Sequence, residues 1–96
     1  MSIVINLHLK AKEDQYQALH QTLIAILPDT AARDGAALIS CCANPEDNSF
    51  LIHEVWDRKE SQEAYMGWRQ ERGDIDTLMG MLREPPVFEE REHMPF

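Results

Sequence analysis

Hydrophobic and polar residues alternate along the first segment of the chain, SIVINLHLK. Positions 3, 5, 7 and 9 are all Ile or Leu, whereas the intervening face carries Asn6 and His8. An apolar residue at every second position is typical of a β-strand with one buried face. This segment is the first predicted strand.

The apolar period changes to three and four residues after this strand. Between residues 12 and 27, Leu19 and Leu23 lie on one apolar stripe while three glutamines fall outside it. This pattern predicts an amphipathic helix. We expect Pro28 to end the helix, because proline cannot donate the next backbone hydrogen bond.

Two further apolar segments, AALISCCA and FLIHEVW, flank the turn-forming sequence NPEDNS. The simplest arrangement is an antiparallel hairpin of two strands. Asp57, with Glu60 three residues later, resembles a capping box, so a helix is predicted from Asp57 to about Arg72. Gly73 is expected to interrupt it.

A second helical pattern follows that glycine, and a pair of prolines ends it. The apolar positions of this pattern are Ile75, Leu78, Met79 and Leu82. VFEEREH then predicts a charged strand at a sheet edge. The whole order predicts one α+β domain over residues 1–96, with a ferredoxin-like βαββαβ arrangement and a four-stranded antiparallel sheet.

Composition excludes several classes of function. The chain has 9 Lys and Arg against 17 Asp and Glu, a net charge of −8, which disfavours nucleic acid and anionic lipid surfaces. Its apolar segments are far shorter than the roughly 20 residues that span a bilayer, and its N-terminus does not resemble a secretory signal. We therefore expect a cytoplasmic protein that binds neither nucleic acid nor membrane.

The sequence also lacks the familiar patterns for metals and cofactors. The four histidines do not have metal-ligand spacing, and no Gly-rich phosphate loop is present. Neither a metal site nor a bound cofactor is expected.

The third predicted strand is largely apolar on both faces. One face carries Phe50, Ile52, Glu54 and Trp56, and the other carries Leu51, His53 and Val55. Helices on one side of a sheet cover only one face. The second face therefore predicts a homodimer in which two sheets pack together. A different partner, or tolerated exposure, is the alternative.

Glu54 is the charged residue within this apolar strand. A carboxylate in such surroundings is costly to bury unless it has a partner. A structural role predicts an arginine or a backbone amide as that partner, with Arg58, Arg69 and Arg72 as candidates. A functional role predicts an acid or base that faces a ligand.

The segment HEVWDRKESQEAYM resembles the strand-to-helix signature of the antibiotic biosynthesis monooxygenase domain. In that family a Glu-x-Trp strand end is followed by a His nine residues after the Trp, and here that position is Tyr65. A polar residue within the opening strand, an Asn-Pro turn and a Pro-rich entry into the last strand extend the resemblance to nearly the whole chain.

The resemblance implies a dimeric α+β barrel with a pocket between the helices and the sheet of each subunit. Members of the family oxidise quinols, anthrones or related polycyclic aromatics with O₂ and without flavin or metal, and one branch degrades haem. That branch has a His where this chain has Ile75, so haem is not expected. Tyr65 replaces a base that titrates near neutral pH with a phenol, which more naturally donates a hydrogen bond.

Together these features predict a pocket for a small aromatic substrate and O₂, without a cofactor. The residues expected to bind the substrate are Trp56, Trp68, Glu54 and Ile52. The residues expected to act in catalysis are Asn6 and Tyr65, as donors to a developing oxyanion, and His8 or His20, as the base, ahead of Glu54. Ordinary core packing is the alternative for the two Trp and for His20. A non-catalytic dimer that binds an aromatic metabolite is the alternative function.

Overall fold

The computed structural model describes residues 2–96 and shows a four-stranded sheet with its helices on one side. The strands are β1 (Ile3–Lys10), β2 (Ala36–Asn44), β3 (Ser49–Trp56) and β4 (Val87–Glu92), and the helices are α1 (Tyr16–Ala31), α2 (Lys59–Arg72) and α3 (Asp74–Met79). The strands pair antiparallel in the order β2-β3-β1-β4. The predicted α+β class and ferredoxin-like topology are confirmed.

Burial follows the alternation that predicts the strands. The even-numbered residues of β3 from Phe50 to Trp56 are buried, and the odd-numbered residues are half-buried. The register pairs Ile3 with Trp56 and Ile5 with Glu54. The apolar face of β1 and the even-numbered face of β3 therefore both meet the helices.

The helix-facing side of the sheet packs in two clusters. One contains Leu9, Phe50 and Ile52 against the α1 residues Leu19 and Leu23. The other, nearer α2, contains Ile3, Ile5, Trp56 and Tyr65. No helix within residues 2–96 is long and apolar enough to cross a membrane.

The first helix does not end at Pro28, as its sequence predicts, but continues to Ala31. Proline removes one backbone donor from the last turn. Thr30, two residues further on, is fully buried and hydrogen-bonded to Tyr65 and Arg69. These contacts hold the last turn in place, so the expectation based on local sequence is wrong here.

The predicted capping box at Asp57 is also wrong. The helix α2 begins at Lys59, its N-cap is Arg58, and no side chain caps it. Asp57 instead donates its backbone N–H to the carbonyl of Gly35 at 2.8 Å. Gly73 does interrupt the helix, with a left-handed φ of +81°, and α3 follows at once.

Gly35 gives a test of this close approach between the start of β2 and the start of α2. Its φ is +89°, and a Cβ at this position would lie 2.5–2.6 Å from atoms of Asp57 and Ser61. We expect Gly35→Ala to lower the free energy of unfolding by at least about 1–2 kcal/mol, the cost of a left-handed conformation alone. Urea unfolding monitored by circular dichroism measures the change.

The matched control is Gly67→Ala, within α2. A Cβ at Gly67 would meet nothing within 4 Å, so the same substitution should stabilise the protein by about 0.5–1 kcal/mol. Equal effects of the two substitutions would contradict the packing described for Gly35.

Candidate functional site

A cavity of about 260 Å³ lies between the sheet and the three helices. Its wall is mostly aliphatic, with side chains such as Leu7, Leu23, Ile52 and Leu78. The ionisable or hydroxyl-bearing side chains that line it are Glu54, Tyr65, Arg69 and Asp74. An apolar enclosure with a few converging polar groups is the usual composition of a small-molecule site.

Glu54 brings a carboxyl group into this cavity from β3. Its side chain is buried, and the indole Nε1–H of Trp56 donates to its Oε1 at 2.9 Å. Burial raises the pKa of Glu54, and the bond from Trp56 and the charge of Arg69 oppose that rise. Trp56 is therefore its hydrogen-bond partner, and the expected arginine or backbone amide is not.

The second oxygen of Glu54 faces the cavity. No hydrogen bond to Oε2 is formed within residues 2–96, and no fully buried side-chain oxygen in the same range lacks a partner. Oε2 is therefore accessible, and the cavity is the space that Glu54 lines. A ligand hydroxyl or amine could donate to it there.

Arg69 links the helices around the cavity, although its side chain is only 3% exposed. Its Nη2 donates to the carbonyl of Ile26 at 2.8 Å and to Thr30 at 2.9 Å, and its Nη1 donates to Asp74 at 2.9 Å. Burial lowers the pKa of Arg69, but the bonds to Tyr65 and Asp74 outweigh it, so the pKa is raised. The guanidinium remains a cation at the cavity wall.

Tyr65, at the position where the resemblance leads one to expect a His, lies in the cavity wall. Its ring lies 5.2 Å from that of Trp56 and 6.3 Å from that of Trp68, between centroids. Its hydroxyl accepts from Arg69 Nε at 3.0 Å and is hydrogen-bonded to Thr30 at 2.7 Å. These two hydrogen bonds hold the Tyr65 ring in place. The ring distance of 5.2 Å shows the expected proximity of Tyr65 to Trp56.

Asn6 and His8 lie on the other side of the sheet. Asn6 pairs with His53 in the register and accepts from His53 Nδ1 at 2.7 Å. His8 is exposed and its Nε2 donates to Glu89 at 2.6 Å. The expectation that Asn6 and His8 share one pocket with Trp56 is wrong, because the more apolar face of β1, with Ile3 and Ile5, packs against the helices.

The remaining predicted residues divide between the cavity and its surroundings. Ile52 lines the cavity, whereas His20 lies beside Tyr16 and Phe50, outside it. Trp68 is half-buried behind Tyr65. Its ring has three guanidinium groups at 4.6–5.0 Å from the centroid, those of Arg33, Arg69 and Arg72. Trp68 therefore supports the wall and does not line it, and the fully buried Trp56, also expected to contact the substrate, does not line it either.

Arg69 and Asp74 are site residues that the sequence interpretation does not identify as such. Residues four apart lie on the same face of a helix. Arg69 follows Tyr65 by four residues, so its cationic side chain lies on the buried face of α2. This signal is visible in the sequence. Its partner Asp74 is held by two arginines, and the bond from Arg69, followed by that from Arg72, lowers the pKa of Asp74.

Comparison with solved structures identifies the fold. A protein from Mycobacterium tuberculosis superposes with a TM-score of 0.89 at 14% identity, over 100% of this chain and 98% of that one. A chain from Deinococcus radiodurans, provisionally named an antibiotic biosynthesis monooxygenase, has a TM-score of 0.86 at 21% identity, over 98% and 94%. A further structure, named antibiotic biosynthesis monooxygenase, has a TM-score of 0.85 at 11% identity, over 99% and 100%.

This chain shares its fold with proteins named antibiotic biosynthesis monooxygenases. No family model and no curated protein matches its sequence. Among residues 2–96, no group of three or more His, Cys, Asp or Glu side chains could hold a metal ion. The shared fold leaves a cavity between the helices and the sheet, and Glu54, Arg69 and Asp74 are the ionisable carboxyl and guanidinium groups that line it.

The raised pKa of Glu54 predicts a pH-dependent stability difference. The folded protein holds the Glu54 proton more tightly than the unfolded chain does, so this group favours folding at acid pH, and its contribution is lost as the pH rises through the folded-state pKa. Glu54→Gln should therefore raise the melting temperature at neutral pH. The increase should shrink on acidification.

Thermal unfolding at neutral and acid pH tests this prediction, with Glu90→Gln as the control. Glu90 is an exposed carboxylate on β4 that pairs with Lys59. A melting-temperature increase for Glu54→Gln that grows on acidification would contradict the raised pKa of Glu54 in the folded protein.

Proposed function

We propose that this protein oxidises a small hydroxylated aromatic compound, of the quinol type, with O₂ and without a cofactor. The observation that carries the proposal is the apolar cavity with one carboxyl oxygen of Glu54 open to it. The fold shared with proteins named antibiotic biosynthesis monooxygenases supports it.

The cavity limits the size of the substrate. Ligand pockets typically have volumes of roughly 300–1,000 Å³, and this one, at about 260 Å³, is at the small end. One or two fused rings suit that space better than a larger polycycle. The aliphatic wall provides dispersion contacts to the ring, and the polar groups orient a hydroxyl.

The reaction balances with O₂ as the only other reactant. The substrate loses its hydroxyl proton and becomes an electron-rich anion that reduces O₂. One oxygen atom enters a ring carbon that loses its hydrogen and becomes a carbonyl, and the other leaves as water. The protein contributes deprotonation, orientation of the ring and exclusion of water.

A non-catalytic binding domain is the second candidate, and Tyr65 favours it. The family's His stands at this position, and here its place is taken by a phenol whose oxygen is already bonded to Thr30 and Arg69. Such a cavity could hold an aromatic metabolite without oxidising it. Oxygen consumption separates the two candidates, whereas ligand binding does not.

Filling the cavity provides the direct test of its role. Leu78 lines the cavity from α3, a helix in which no residue is buried, so Leu78→Trp should reduce the space with little effect on folding. We expect this variant to lose at least about 10-fold in oxygen uptake with a panel of quinols and naphthols, because a 1 Å misplacement of substrate can cost about 100-fold. An oxygen electrode measures it.

Ile24→Trp is the matched control, because Ile24 is 64% exposed on the outside of α1. Full activity of Leu78→Trp would show that the reaction occurs elsewhere. Wild-type protein that consumes no oxygen with any member of the panel would favour the binding domain over the oxygenase.

We also propose that the protein is a homodimer, built on the sheet face opposite the helices. This face, called the open face here, has half-buried β3 residues. Its apolar residues are Val4, Leu38, Leu51, Val55 and Val87, and its polar residues include Asn6, His8, His53, Glu89 and Arg91. A second copy would cover this apolar surface with an identical one, as closed two-fold symmetry requires. Leu38 and Val87, at 50% and 53% exposure, would both be covered.

Val55→Glu tests this dimer. The substitution would place two carboxylates close to the two-fold interface, where burial of unpaired charge is costly. We expect the variant to sediment as a monomer of 11.1 kDa and the wild type as a dimer. Ile24→Glu, on the opposite side of the protein, should remain dimeric. A monomeric wild type at micromolar concentration in analytical ultracentrifugation would contradict the proposal.

A further inference from the structure

We infer that Glu54 is the general base of the site, taking the hydroxyl proton of the bound aromatic compound on its Oε2 atom. This inference rests on the proposed function and assigns the proton-transfer step to one residue. It replaces the histidines, which the sequence favours for this role.

The fixed geometry of the carboxyl group is the first support. Trp56 holds Oε1 at 2.9 Å, and both residues are buried, with exposed fractions of 4% and 0%. The carboxylate therefore cannot rotate freely, and Oε2 presents its lone pairs to the cavity. A general base must first lie within hydrogen-bond reach of the proton that it accepts, and the position of Oε2 meets that requirement.

The other titratable groups at the cavity are unsuited to the role. Arg69 is a cation and cannot accept a proton. Asp74 is paired with two arginines that lower its pKa, which makes it a weak base. The Tyr65 hydroxyl is bonded to Thr30 and Arg69.

The two histidines proposed from the sequence do not line the cavity. His8 lies on the open face with Glu89, and His20 packs beside Tyr16 and Phe50, outside the cavity. Neither could reach a hydroxyl inside the cavity without a rearrangement of the sheet or of α1. Glu54 is the remaining acceptor among the described residues.

The transfer conserves charge within the site. The substrate O–H bond breaks, a bond forms between that proton and Glu54 Oε2, and the negative charge moves from the carboxylate to the aromatic oxygen. Burial raises the pKa of Glu54 and so increases its basicity. The Arg69 cation is the nearest fixed positive charge, and it attracts the anion that forms.

Glu54→Gln is the variant that tests this role. The amide oxygen can still accept from Trp56, so the pocket is kept while the base is lost. We expect turnover to fall on the order of 100-fold, the lower end of the usual effect of a general base. The ascending part of the pH profile, which Glu54 ionisation produces in the wild type, should disappear. Glu90→Gln should keep wild-type turnover and pH profile.

A binding experiment gives an independent result when no substrate is turned over. The probes are 4-methylphenol and 4-methylanisole, a phenol that stays protonated at neutral pH and its methyl ether, which lacks the hydroxyl hydrogen that Glu54 would accept. Wild-type protein should prefer the phenol on the order of 10-fold, the value of about one hydrogen bond to a charged group, and Glu54→Gln should lose that preference. Equilibrium dialysis measures both affinities.

The two experiments separate the inference from the proposed function. Wild-type protein that prefers the phenol through Glu54 but consumes no oxygen with any quinol would refute the oxygenase and retain Glu54 as the hydroxyl acceptor. Turnover by Glu54→Gln within threefold of wild type with an unchanged pH profile would overturn the inference. So would equal preference for the phenol in both proteins, or no binding of either probe.

Discussion

A buried guanidinium joins the three helices above the sheet, and the shape of the cavity depends on it. Arg69 donates from α2 to Thr30 and the carbonyl of Ile26 on α1, and to Asp74 at the start of α3. Burial of a charge is tolerated only when its hydrogen bonds are satisfied. The contacts that satisfy Arg69 thus also fix the wall beside Glu54, so stability and site electrostatics have a common origin.

Much of the fold follows from local patterns in the sequence. The alternation in β1 and β3 predicts both strands and their buried faces, because one slip of register would expose every apolar side chain. The helix boundaries are harder to predict from the sequence. Pro28 and Asp57 are typical end and start signals, yet Thr30 and Gly35 make tertiary contacts that shift both boundaries. Local propensity is worth less than these contacts.

The site is only partly predictable from the sequence. Ile52, Glu54, Trp56 and Tyr65 are brought together as the strand-to-helix pattern suggests. Asn6 and His8 do not join them. They are polar residues within β1, which makes them candidates for the site, but they lie on the sheet face opposite the helices. The sequence offers Arg69 only as one of three candidate partners of Glu54, and the folded chain alone shows that its hydrogen-bond partners lie on three helices.

The central claim, that an aromatic hydroxyl binds beside Glu54 and Trp56, is tested most directly by nuclear magnetic resonance. The chain has two tryptophans, so ¹⁵N-labelled protein should give two indole N–H signals, and only that of Trp56 is bonded to Glu54. Titration with 2-naphthol should move the Trp56 indole signal saturably, and leave the amide of Asn6 on the open face unmoved. An unmoved Trp56 signal, or saturable shifts confined to Asn6 and His53, would contradict the account.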